Sequence, residues 1–120
     1  MERVQMLSFS GKSVLLLDLT NAPPEETLSA IPRAKAIIAK FPAKSGLVIT
    51  NVKGAKYNKE VAEAIKGFVS HNTPYIKASA VVGAEGAASV LLQTVIFLTR
   101  RELKSFQTRE EALVWLTRTA

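Results

Sequence analysis

Four consecutive aliphatic residues, Val14-Leu15-Leu16-Leu17, leave a β-strand without a polar face. Successive side chains of a strand point to opposite sides, so this strand belongs in the middle of a sheet covered on both faces. The flanking segments supply a sheet and its covers. Val4, Met6 and Ser8 alternate with Arg3, Gln5 and Leu7, a weak period of two that predicts an edge strand. Ser10-Gly11-Lys12 is turn chemistry, and Ser13 to Leu19 then closes a hairpin with that edge.

Beyond the hairpin, helix and strand signals alternate. Pro23-Pro24-Glu25-Glu26 places proline in a first helical turn and acids at the positive end of the dipole. This helix is expected to run to about Lys40, with Pro32 kinking it or dividing it into two short helices. Leu47-Val48-Ile49 is a third strand, between Ser45-Gly46 and Asn51. Asn58 caps a second helix in which Val61, Ile65, Phe68 and Val69 share a face, and His71-Asn72-Thr73-Pro74 ends it. Tyr75 to Val82 is a fourth strand, and Gly83-Ala84-Glu85-Gly86 turns into a third helix reaching about Arg100. Leu103 to Phe106 is a short fifth strand. Thr108 and Glu111 form a capping box opening a fourth helix, Arg109 to Leu116. The expected fold is α/β: one domain over residues 1–120, with a five-stranded mixed sheet and four main helices. Its strands after the hairpin are mainly parallel and joined by right-handed crossovers.

Composition narrows the chemistry. The chain of 120 residues has no cysteine, which excludes disulfides, thiolate metal sites and a cysteine nucleophile. His71 is the one histidine, and no acidic cluster has metal-ligand spacing, so neither a metal nor another cofactor is expected. Ser10, Ser45, Ser79 and Ser89 lack the G-x-S-x-G context of a nucleophile elbow. No enzyme active site is assembled. The N-terminal Met1-Glu2-Arg3-Val4 has no signal-peptide core, and the most apolar stretch, Val90 to Leu98, is shorter than the about 20 residues that span a bilayer. No transmembrane segment and a cytoplasmic location are therefore expected. Sixteen Lys and Arg against ten acids give a net charge of +6. These cations are scattered along the chain, a pattern that argues against nucleic acid as partner.

In open α/β sheets ligands bind beyond the carboxyl ends of the parallel strands. Those ends carry Asp18 and Thr20, then Asn51 to Asn58, then Gly83 to Gly86. The edge gathers Lys53, Lys56 and Lys59 on one loop, opposite a glycine-containing helix start. Such a set can hold an anion, or it can be a glycine turn with three solvated lysines. Asp18 reads as an acceptor for loop N–H groups rather than as a general base. On the third helix, Glu85, Ser89, Gln93 and Arg100 share one face, and Leu92 and Ile96 fall on it too. Either this pair lies in the core or it forms a contact between two copies of the chain.

Two strings carry a family likeness, His71-Asn72-Thr73-Pro74-Tyr75-Ile76-Lys77-Ala78-Ser79-Ala80-Val81-Val82-Gly83 and Thr108-Arg109-Glu110-Glu111-Ala112-Leu113-Val114-Trp115-Leu116. With the element order, they resemble the SpoIIAA-like family, grouped with STAS domains and the CRAL-TRIO lipid-binding fold. The resemblance implies a β/α superhelix and, for small stand-alone members, no assigned activity. Antagonist STAS proteins carry a phosphorylated serine where the third strand's loop enters the second helix. The matching segment here, Lys56-Tyr57-Asn58-Lys59-Glu60, has no Ser or Thr, so the phosphoswitch does not carry over. A lipid cavity would also find little room once 120 residues have filled a core. The leading expectation is a non-catalytic STAS-like module that docks a protein partner, or a second copy of itself. The alternative is a domain binding a small anionic ligand at the carboxyl edge.

Overall fold

The computed structural model describes residues 2–101 and 103–119. Its strands are β1 (Val4–Phe9), β2 (Lys12–Asp18), β3 (Gly46–Asn51), β4 (Ile76–Val82) and β5 (Leu103–Phe106). The helices are α1 (Pro24–Ile38), α2 (Lys59–Asn72), α3 (Ala87–Thr99) and α4 (Arg109–Thr119), with a short 3-10 turn at Thr73–Tyr75. The strands form one sheet in the order β1-β2-β3-β4-β5, antiparallel between β1 and β2 and parallel thereafter. The α/β class, the hairpin and the five-stranded mixed sheet are as the sequence predicts.

Sequential strand order determines where the helices lie. Each right-handed crossover steps the same way across the sheet, so α1, α2 and α3 all fall on one face. There Ala30, Ile31, Ala34 and Ile38 of α1, Phe68 and Val69 of α2, and Ala88, Leu92 and Val95 of α3 pack on Leu15, Leu17, Val48 and Val81. The last helix, α4, covers the other face, where Ala112, Leu113 and Leu116 meet Val14, Leu16, Leu47, Ile49, Ala78, Ala80 and Val82. The alanines of β4 leave room for α4 to sit close to the sheet. All four residues of the Val14–Leu17 run are buried, two in each layer. Burial of each such leucine stabilises the fold by about 1.5–3 kcal/mol.

Local signals explain most boundaries. Asn58 accepts a hydrogen bond from the Val61 amide at 2.8 Å and so starts α2. The Thr108 hydroxyl accepts from the Glu111 amide at 3.2 Å and donates to the Glu111 carboxylate at 3.0 Å. That is a variant of the capping box, closed through the hydroxyl. Pro32 does not divide α1, which continues through it from Pro24 to Ile38. Pro32 is on the exposed side of the helix.

On α3 the structure bears on the two alternatives left open for Leu92 and Ile96. Leu92 is 8% exposed and lies in the core, and Ile96 packs against that same cluster. The outward residues are Val90, Phe97 and Leu98, at 69%, 81% and 61% exposure. The pair read as core or subunit contact is therefore a core pair. The polar residues Gln93 and Arg100 mark the flank of the helix, not the middle of its solvated side. None of the 13 residues of α3 is charged, so periodicity gave no strong outward stripe to read.

Candidate functional site

Asp18, Thr20, Asn51, Lys53 and Gly83 are brought together at the carboxyl edge by the parallel register. Asp18 lies beside Asn51, and Asn51 beside Val82. Backbone hydrogen bonds continue the ladder past the strand ends: Leu19 N–H to Asn51 at 2.8 Å, Asn21 N–H to Lys53 at 2.8 Å, and Val52 N–H to Val82 at 2.9 Å. The Lys53 to Asn58 loop is further tied to α1's approach by the Lys56 amide, which donates to the Ala22 carbonyl at 2.9 Å. Gly83 is required by close approach. At φ +78° it lies so near Lys53 that a Cβ there would come within 2.9 Å of the lysine Cβ.

The polar side chains of this edge are largely spent on the backbone. One Asp18 carboxylate oxygen accepts from the Thr20 amide at 3.1 Å and from the Thr20 hydroxyl at 2.6 Å. Asn51 accepts from the Lys53 amide at 3.1 Å, and Asn58 is the cap of α2. Arg3 donates to the carbonyls of Asp18 and Thr20. These groups shape the loops.

The lysines are different. Lys53, Lys56 and Lys59 are exposed, and none of their ammonium groups has a hydrogen-bond or ion-pair partner among the described residues. Gly86 is exposed at the start of α3, and no contact recorded among the described residues ties it to the lysine loop. The sheet order also lacks a reversal. A crevice at the carboxyl edge of an α/β sheet opens where the strand order changes direction, and the order β1 to β5 never does. Among the described residues the edge thus presents three exposed lysines without a crevice of that kind.

Space for a small molecule lies elsewhere. A cavity of about 70 Å³ sits between the sheet and the α2–α3 pair, and Arg101 and Ser79 line it. Sequence reasoning missed this site. In the sequence Ser79 stands out only as one of four serines without a nucleophile-elbow context. Arg101 gave no signal, because its position depends on a left-handed turn at Arg100, φ 58°.

Among the described residues no helix is long and apolar enough to cross a membrane. No protein-family model matches the chain, and no curated protein matches it at a significant level.

Proposed function

We propose that the chain is a non-catalytic, STAS-like interaction module that docks an acidic protein surface on the rim formed by Lys53, Lys56 and Lys59. The observation that carries this reading is three exposed, unneutralised lysines on a loop whose backbone is anchored on both sides. A pre-ordered loop loses little entropy on binding, and cations without internal acids are available to a partner's carboxylates. The absence of Ser and Thr from residues 54–60 makes the attraction constant instead of switched by serine phosphorylation. The net charge of +6 steers an acidic partner toward the chain and leaves binding sensitive to salt.

Each exposed lysine–carboxylate contact contributes about 0.2–1 kcal/mol. Reversing all three charges replaces attraction by repulsion and is expected to weaken binding by about tenfold or more. The test is affinity capture from a native lysate with wild type and with Lys53→Glu, Lys56→Glu, Lys59→Glu, followed by reconstitution with the purified partner. A partner lost from the triple variant and at high salt supports the reading. Retention of every partner by the triple variant, or capture of none, overturns it.

A further inference from the structure

The cavity beneath α2 and α3 is lined mainly by apolar residues, among them Val48, Val81, Phe68, Leu92 and Val95, with Thr50, Tyr57, Asn72 and Ser79 as its uncharged polar members. At one end stands Arg101, the one charged residue among the described residues lining it. Its Nη1 donates to the Val69 carbonyl at 3.0 Å, and its Nη2 donates to the Ser79 hydroxyl. Both acceptors are neutral. No ion pair joins Arg101 to a described carboxylate. A guanidinium carries five N–H donors, so donors remain beyond these two bonds.

A partly buried cation without a counter-ion is costly unless something neutralises it. Burial lowers the Arg101 pKa by desolvation, yet an arginine stays protonated at neutral pH, so the charge persists. Water alone fills the space poorly, since a buried water needs two to four polar partners and, apart from Thr50, Tyr57, Asn72 and Ser79, the lining away from Arg101 is apolar. A phosphate has more oxygens than one arginine and these few hydroxyl and amide groups satisfy, and would bury the rest against apolar wall. Size limits the body of a ligand as well. An apolar cavity of about 150 Å³ holds benzene, and this one has about 70 Å³, too little for a long acyl chain.

We propose that this cavity binds a short-chain monocarboxylate, its carboxylate on the remaining N–H groups of Arg101 and its hydrocarbon end among Phe68, Leu92 and Val95. Arginine suits that task because its planar fork meets a carboxylate with two parallel hydrogen bonds. Val52 and Tyr57, next to Lys53 and Lys56, line the cavity but none of the three lysines does, so ligand binding lost on Arg101→Gln and partner binding lost in the triple lysine variant are read apart.

The test is an amide NMR titration of the whole chain with sodium acetate, small enough for this space, with ethanol and sodium chloride as controls. Acetate is expected to shift the amides of Ser79, Val95 and Arg101 saturably, with a Kd of about 1–10 mM, and neither control is expected to reproduce this. Arg101→Gln should weaken binding at least about tenfold. Should that variant not fold, Arg101→Lys, which keeps the charge but not the fork, should bind more weakly than wild type. Ala88→Leu adds bulk at the cavity wall and should abolish binding with Arg101 still in place. No saturable shift, equal affinity in wild type and the Arg101 variant that folds, or full competition by chloride overturns the proposal.

Discussion

Asn21 and Gly54 meet where two loops of the carboxyl edge cross: a Cβ on Gly54 would collide with the Asn21 side-chain oxygen. Both residues have left-handed backbones, with φ 54° at Asn21 and φ +70° at Gly54. The Asn21 amide donates to the Lys53 carbonyl at 2.8 Å, so this crossing joins the β2–α1 connection to the lysine loop.

Gly54→Ala is therefore expected to destabilise the chain. The left-handed conformation costs a residue with a Cβ about 1–2 kcal/mol, while the contact with Asn21 can relax by rotation of a flexible side chain. Chemical denaturation checks this. A neutral Gly54→Ala would show that the loop is not held in this conformation.

Gly67 gives the opposite expectation from the same residue type. It is exposed within α2, no atom lies within 4 Å of a Cβ placed on it, and its φ is not positive. Replacing a helix-interior glycine by alanine removes unfolded-state freedom at no steric cost. Gly67→Ala should stabilise the chain by about 0.5–1 kcal/mol, seen as a higher denaturation midpoint with an unchanged slope. A loss of stability would mean that α2 packs more closely at Gly67 than the structure shows.

What the sequence made legible was local. The β2 run, the Asn58 cap and the Leu103–Phe106 strand rest on neighbouring residues, whose chemistry acts within a few positions. Lys53, Lys56 and Lys59 were legible as a group because one loop carries all three. Their lack of acidic partners needed the tertiary structure. Strand order was not legible, so the missing crevice could not be foreseen. Arg101 was hidden because it meets Ser79, 22 positions earlier, through a turn no motif announces. On α3 the difficulty was composition: with apolar residues all round, Leu92 and Phe97 look alike until the sheet beneath selects one side.

That selection is measurable. Leu92 is buried against the sheet and borders the Arg101 cavity, so Leu92→Ala removes packed atoms and enlarges a space that already exists. Such truncations cost about 2–5 kcal/mol, and this one is expected in that range. Phe97 is 81% exposed, and Phe97→Ser should change stability by no more than about 0.5 kcal/mol. Urea denaturation of both variants at two protein concentrations gives the comparison. A large loss at Phe97 with none at Leu92 would mean that α3 is rotated from the orientation described. A loss at Phe97 that grows with protein concentration would show instead that the outer face of α3 is buried between copies, because only an association makes stability depend on concentration.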